Sequence, residues 1–292
     1  WGFTHDNIST IGGRTAFPVF RGIGGLLLLH WCWGFSVFMW TRYRINYIFL
    51  FDFDPRTVRT PIMIFNDVVD ETLVFLFLLL FYYKACTDAL PSVIPIPEGG
   101  YPLILVLYTL KKFLLPWRSR APLWRAIREV VTTPFTSPTF YTSYVADVFT
   151  SMVKVFQDLA WTLGFILSGD FLITEADDNA HSWQHEFWYK KVLIPMICLL
   201  PLWFRFNQSL RKYVDTGIRG PNLANAFKYA LSQTVTLFGV FHPLYLYYSD
   251  DDGEADNTPI STGRPLYQIF WMGLFVTSSL YSYFWDVFMD WG

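Results

Sequence analysis

Charged residues are scarce in this sequence. Lys, Arg, Asp and Glu make up 16% of its 292 residues, whereas a soluble domain carries about 25%. A soluble protein of this size needs a polar shell, and so few charges make a thin one. The formal net charge is -2, and no face-wide basic run stands out, which argues against a nucleic-acid-binding protein.

Cysteines and recognisable chemical motifs are also few. The three cysteines, Cys32, Cys86 and Cys198, lie far apart in or beside apolar segments, which excludes a disulfide scaffold. His181 and His185 are four residues apart but have no evident third metal ligand. The glycine-containing stretches follow no predicted strand, and no serine lies in a nucleophile elbow. We therefore expect no enzymatic activity, no metal and no cofactor.

Apolar and aromatic residues are abundant instead. They account for 53% and 20% of the chain respectively, a composition that excludes disorder. A helix needs about 20 mostly apolar residues to cross a bilayer, and three uncharged segments have this length: 22–40, 229–248 and 267–285. Four more are interrupted by charges: 62–83, 99–117, 141–168 and 192–210. The sequence predicts an all-α polytopic transmembrane bundle of about seven spanning helices.

Basic residues alternate between the loops that join these segments. The basic loops follow the first, third and fifth segments and carry Arg42, Arg44, Arg56 and Arg59, then Lys111, Lys112, Arg118, Arg120, Arg125 and Arg128, then Arg211, Lys212 and Arg219. The positive-inside rule assigns these loops to the cytoplasm. We therefore expect the N-terminus outside and the C-terminus in the cytoplasm, with residues 118–128 forming an amphipathic helix on the inner membrane surface.

Charges within the long fourth segment are informative because a charge at the bilayer centre costs about 2.5–3.5 kcal/mol or more. Asp147, Lys154 and Asp158 are spaced seven and four residues apart, which predicts one stripe of a single helix. Lys154 and Asp158 suit a local ion pair. Asp147 has no partner on its own helix, so it must meet another helix or water.

A second group of polar residues lies in or beside the last three segments. Its members are Arg205 and Gln208, then Asn225, Lys228 and Tyr229, then Asp286 and Asp290, the last two one helical turn apart. Together with Asp147 they predict a core of two cations and three carboxylates, which suits a dense anion such as phosphate. Structural salt bridges, an interfacial lysine or solvated acids remain alternative interpretations.

Several stretches of the chain resemble the EXS family of eukaryotic membrane proteins. They occur in the family's order from about Phe17 to Gly292 and read FRGIGGLLLLHW, INYIFLFDFDPR, TTPFTSPTFYTSYVADVFTSMVKVFQDL, LPLWFRFNQSLRKYVDT, NLANAFKY and SSLYSYFWDVFMDWG. The best-known members of the family are phosphate exporters that carry an SPX domain, a sensor of inositol pyrophosphates, ahead of the EXS region.

The resemblance implies a phosphate pathway inside the helical bundle. Positions matching the exporters' pathway are Asp147, Arg205, Lys228, Tyr229, Asp286 and Asp290, and Lys154, Asp158, Gln208 and Asn225 are secondary candidates. Thr150 stands where exporters tend to carry Asn, and its hydroxyl can still bond an oxyanion. We expect residues 1–292 to form one EXS domain, incomplete at both ends and without an SPX domain.

The expected function is export of inorganic phosphate across a lipid bilayer, with the plasma membrane favoured over the Golgi. Inositol pyrophosphate would be a partner only through an upstream SPX domain, and a homodimer is compatible with the sequence. One alternative is a Golgi EXS protein that recycles phosphate or retains proteins. Another is a membrane receptor or scaffold in which the core charges are only structural.

Overall fold

The computed structural model describes residues 16–87, 96–172, 182–241 and 266–290, and in these ranges the chain forms helices and no β-strand. The α-helices are α1 (Phe17–Arg42), α2 (Tyr47–Leu50), α3 (Pro61–Cys86), α4 (Gly100–Leu114), α5 (Trp117–Val131), α6 (Phe140–Ser151), α7 (Val153–Leu167), α8 (Ile194–Thr216), α9 (Arg219–Phe241) and α10 (Leu266–Trp285). Single π-helical segments, Trp188–Leu193 and Asp286–Asp290, precede α8 and follow α10.

The predicted all-α fold is confirmed. Within the described ranges, Phe17–Arg42 and Trp188–Thr216 are both long enough and apolar enough to cross a membrane. The total of about seven spanning helices therefore stays a prediction. The residues at 242–248, which the sequence assigns to the end of the sixth span, lie outside the described ranges.

The fourth predicted segment is not the single helix expected over 141–168. Helix α6 ends at Ser151 and α7 begins at Val153, so the helix is interrupted at Met152. The Thr150 hydroxyl donates a 2.7 Å hydrogen bond to the carbonyl of Asp147. Thr72 makes a comparable bond to a carbonyl within a continuous helix, so the Thr150 bond accompanies the interruption without explaining it. No proline or glycine lies at the interruption.

Helix α9 begins ten residues earlier than the segment 229–248 predicts. Only Gly217 and Ile218 separate it from α8. Gly217 adopts a positive φ of 69°, the left-handed conformation that favours glycine after a helix. As a result, Lys228 lies well inside α9. The sequence had predicted it at the start of the helix.

The chain divides into two compact units. The first takes Trp1–Ala126 and Met152–Lys190, and the second takes Ile127–Ser151 and Lys191–Gly292. In the first unit α1 packs against α3, α4 and α7, and α4 also packs against α3. Val19, Phe20 and Val68 are almost fully buried in this unit.

The second unit is built around α9. Helix α9 packs against α8 on one side and α10 on another, while α8 also contacts α6. The short connection at Gly217 makes α8 and α9 neighbours. These four helices carry every primary site residue that the sequence predicts except Asp286 and Asp290, which lie in the π-helical segment after α10.

A test of the packing in the first unit is available at two neighbouring glycines of α1. A Cβ at Gly22 would lie 2.9 Å from Cβ of Asp158, whereas a Cβ at Gly24 would meet the Phe75 ring at an ordinary 3.5 Å. We expect Gly22→Ala to lower the free energy of unfolding by about 1–3 kcal/mol relative to Gly24→Ala, because α1 and α7 must separate. Both variants gain the same helix propensity, so this gain cancels. Equal midpoints for the two variants in thermal unfolding in detergent would contradict this packing.

Candidate anion site

Arg205 of α8 is the centre of a buried polar cluster in the second unit. Its Nε lies 2.6 Å from Oδ1 of Asp147 on α6 and donates to the Tyr229 hydroxyl of α9 at 3.0 Å. The Tyr229 hydroxyl in turn donates to the same Asp147 oxygen at 3.2 Å. The three side chains form a closed triangle, so the expectation that Asp147 pairs with another helix is met in the structure.

Gln208 holds the other side of the Arg205 guanidinium. Its Oε1 accepts a 2.9 Å hydrogen bond from Nη1 of Arg205, and its Nε2 donates to the carbonyl of Thr142 at 3.2 Å. Gln208 is only 1% exposed. Gln208 follows Arg205 by three residues, so the two side chains share a face of α8. The link to α6 required the structure.

Lys228 forms a second cation site on the same helix as Tyr229. Its Nζ lies 3.1 Å from Oδ1 of Asp286. The same ammonium lies 4.9 Å from the centre of the Tyr229 ring and 5.8 Å from that of Trp285. Tyr229 also lies against Arg205, whose guanidinium carbon is 5.2 Å from the ring centre. The aromatic ring of Tyr229 therefore contacts both cations.

In both ion pairs the cation is buried and the carboxylate is about half exposed. The side chains of Arg205 and Lys228 are each 8% exposed, whereas their partners Asp147 and Asp286 are 51% and 47% exposed. A buried cation needs a counter-charge because its desolvation is expensive. A half-exposed carboxylate is hydrated and can be displaced more cheaply. The arrangement suits exchange of a carboxylate for a mobile anion.

Apart from Nε of Arg211, which forms an ion pair with Asp215, three polar atoms in this unit are buried without a hydrogen-bond partner among the residues that the structure describes. They are Oδ1 of Asn225, Nε2 of Gln233 and Nε1 of Trp285. Buried polar groups are nearly always bonded, so each of these needs a partner such as water or a ligand. Asn225 is among the predicted residues. Gln233 and Trp285 are not, because neither is charged and both fit an ordinary helix face.

The sequence matches the EXS family over residues 16–292. The chain belongs to the EXS family. This EXS chain is 32% identical over 299 residues to "SPX and EXS domain-containing protein 1" of Dictyostelium discoideum, covering 99% of this chain and 30% of that protein. The family assignment confirms the resemblance seen in the sequence, and the chain is a membrane protein.

Animal relatives are similar over the same region. "Solute carrier family 53 member 1" of Homo sapiens is 23% identical over 290 residues, which is 96% of this chain and 39% of the human protein. The "Xenotropic and polytropic retrovirus receptor 1 homolog" of Danio rerio is 27% identical over 284 residues, 92% of this chain and 37% of its own length. The EXS chain thus spans between three and four tenths of these relatives.

Two secondary candidates lie in the other unit of the EXS chain. Lys154 and Asp158 form the expected local pair, with Nζ 3.2 Å from Oδ1. Asp158 is also held by Arg21 of α1, whose Nε and Nη2 donate to its two oxygens at 2.7 and 2.8 Å. Arg21 is not among the predicted site residues, because it immediately precedes an uncharged segment. Asp158 is thus paired with two cations. It belongs to the first unit, whereas Asp147 belongs to the second.

Two primary candidates contribute less to the described geometry. The Thr150 hydroxyl is engaged with the Asp147 carbonyl, one turn from the Asp147 carboxylate that contacts Arg205. Asp290 ends the π-helical segment after α10, and its side chain lies outside what the structure describes. The structure thus brings together Asp147, Arg205, Gln208 and Tyr229, and separately Lys228 and Asp286.

Gln208 and Gln233 provide a matched test of the Arg205 cluster. Gln208→Leu leaves Nη1 of Arg205 without its acceptor, so we expect the free energy of unfolding to fall by about 1–3 kcal/mol. Gln233→Leu removes an unpartnered buried amide nitrogen and should leave stability unchanged or raise it. Thermal unfolding of the two variants in the same detergent measures the difference. A Gln208→Leu midpoint equal to the wild-type value would contradict the assigned contacts.

Proposed function

We propose that this EXS protein carries inorganic phosphate across a membrane through its second unit, without bond-breaking chemistry. The observation that carries the proposal is the pair of buried cations, Arg205 and Lys228, opposite half-exposed carboxylates. The similarity to a solute carrier and the family resemblance to phosphate exporters support the same proposal.

Arg205 supplies the directional part of the proposed site. Its guanidinium is planar, always charged and suited to bonding two phosphate oxygens at once. Nε and Nη1 are engaged by Asp147, Tyr229 and Gln208, which fixes the guanidinium plane. Departure of Asp147 would leave an incoming anion to share the Nε hydrogen with the Tyr229 hydroxyl, while Gln208 holds the plane in place. Preorganisation of this kind lowers the entropy lost on binding.

Lys228 supplies a second, less directional charge. Its ammonium presents three donors and can follow an oxyanion as it moves. Tyr229 lies against both cations and donates its hydroxyl to Asp147, so it connects the two positions. Two adjacent sites of moderate strength suit conduction better than one deep site, because the ion must also leave.

The carboxylates have a role in the proposal beyond charge balance. Phosphate near neutral pH keeps at least one O–H group, which Asp147 or Asp286 can accept as a hydrogen bond. Sulfate at the same pH has no O–H group, so the carboxylates would only repel it. The carboxylates would thus both moderate the positive charge and select phosphate over sulfate.

The proposal also includes the direction of phosphate transport and the membrane that contains the protein. We infer from the basic loops that the C-terminus is cytoplasmic. Phosphate would then enter from the inner side near Arg205, Lys228, Asp286 and Asp290 and move outward past Asp147. We place the protein in the plasma membrane. Imaging of a tagged full-length protein tests this location, and a Golgi signal would move the same chemistry to that organelle.

Removing either cation tests the proposed pathway. We expect Arg205→Gln and Lys228→Gln each to lower phosphate efflux from proteoliposomes containing the full-length protein by about ten- to a hundredfold, since each loses a charge-assisted hydrogen bond to the anion. Arg219→Gln is the control, because Arg219 is an exposed base at the start of α9. Folded variants with wild-type efflux would instead assign the two ion pairs a structural role.

Replacing one carboxylate tests selectivity. Asp147→Asn replaces a charged acceptor for the phosphate O–H by a weaker neutral one and removes the charge that repels sulfate, so we expect the ratio of phosphate to sulfate flux to fall by about tenfold. Asp215→Asn is the control because Asp215 pairs locally with Arg211 at 2.9 Å. Parallel flux measurements with the two anions give the ratio, and an unchanged ratio would contradict the role assigned to Asp147.

A further inference from the structure

A second concentration of positive charge lies in the first unit, outside the proposed phosphate pathway. Three cations surround the single carboxylate of Asp67 on α3. Arg59 forms an ion pair with it through Nη1, Arg120 of α5 lies 3.6 Å away through Nη2, and Lys112 of α4 lies 3.9 Å away through Nζ. The group therefore carries two more positive than negative charges.

The charges of this cluster are largely withdrawn from water. The side chains of Arg59, Lys112 and Arg120 are between 17% and 28% exposed, and Asp67 is 20% exposed. Burial and the neighbouring charge of Arg59 lower the pKa of the Arg120 guanidinium. Uncompensated like charges at this burial repel one another, so an additional anion would stabilise the group.

A further acid, Glu71, acts on Arg120 through its charge but has another partner. Glu71, one turn after Asp67 on α3, lies 2.8 Å from Nδ1 of His30. Lys112 also faces the Tyr108 ring at 5.8 Å, which adds no negative charge. With Glu71 counted, the three cations still outnumber the two carboxylates.

The backbone around the cluster is fixed by α5. Nε of Arg120 donates to the carbonyl of Lys112 at 3.2 Å, and Nε1 of Trp124 donates to the carbonyl of Phe113 at 3.1 Å. These bonds tie the amphipathic helix to the end of α4. Three chain positions, before α3, at the end of α4 and at the start of α5, therefore converge on Asp67 in a fixed arrangement.

Exposed apolar side chains flank the charged residues along the chain. Leu115 and Trp117 lie between Lys112 and Arg120, and Ile62 and Met63 lie between Arg59 and Asp67, and all four are more than half exposed. A charged cluster bordered by exposed apolar residues, with a tryptophan among them, is typical of the membrane–water interface. Basic pockets between helices at this level bind phosphorylated lipid headgroups.

We propose that Arg59, Lys112 and Arg120 bind the phosphate-bearing headgroup of an anionic lipid, while the neighbouring apolar side chains contact its acyl chains. The expected ligand class is a phosphoinositide or a lipid with a comparable phosphomonoester. The basic-loop pattern places this end of α3 and α4 in the inner leaflet. The proposal rests on the membrane location of the chain and is independent of phosphate transport through the second unit.

The test compares two adjacent lysines. Full-length protein is reconstituted in nanodiscs of phosphatidylcholine with a small fraction of phosphatidylinositol 4-phosphate, and retained lipid is counted by native mass spectrometry. We expect Lys112→Gln to lower retention of the phosphoinositide by about tenfold, since a charge-assisted hydrogen bond is lost. Lys111→Gln should have little effect because Lys111 is exposed and is not among the three cations around Asp67.

Equal losses in both variants would show diffuse surface attraction and overturn the proposal. Competition by the soluble inositol phosphate headgroup at the same affinity would also overturn it, because the acyl chains would then contribute nothing. Arg59→Gln provides a second variant that leaves the Arg120 and Trp124 backbone bonds intact. Thermal unfolding verifies that each variant is folded before its retained lipid is counted.

Discussion

The structure of the second unit depends on one constraint: a guanidinium in a membrane protein stays charged and must have partners. Arginine does not lose its proton in proteins, and an unpaired charge away from water is costly. Arg205 is buried and meets this requirement with contacts from α6, α8 and α9. Helix α10 is joined to the same system through Asp286 and Lys228.

The constraint also explains how a binding site and a stable fold can share residues. Gln208 and Tyr229 hold Arg205 in position whether or not Asp147 is in contact. In the proposed exchange, the half-exposed Asp147 would give way to a mobile anion while Gln208 keeps the guanidinium of Arg205 in position. The first unit contrasts with this arrangement, because Asp158 there is 3% exposed and is bonded by Arg21 and Lys154. That pairing is closed and suits a structural role.

The sequence predicted the helical fold and the identity of the cations, because charge is rare in apolar helices and each instance is conspicuous. It also predicted the Lys154–Asp158 pair, which depends only on local spacing. It missed the interruption at Met152, because no proline or glycine marks that position. It also missed Arg21, Gln233 and Trp285, because their importance depends on which helices pack together, and periodicity carries no such information.

The most direct test of the central claim removes both charges of the Arg205 pair at once. The double variant Arg205→Gln with Asp147→Asn keeps a polar group at both positions and removes both charges of the pair. If the pair exists for anion passage, the full-length variant should remain folded with a thermal midpoint near the wild-type value, and its phosphate efflux from proteoliposomes should be lost. A folded double variant that retains wild-type efflux would contradict the account.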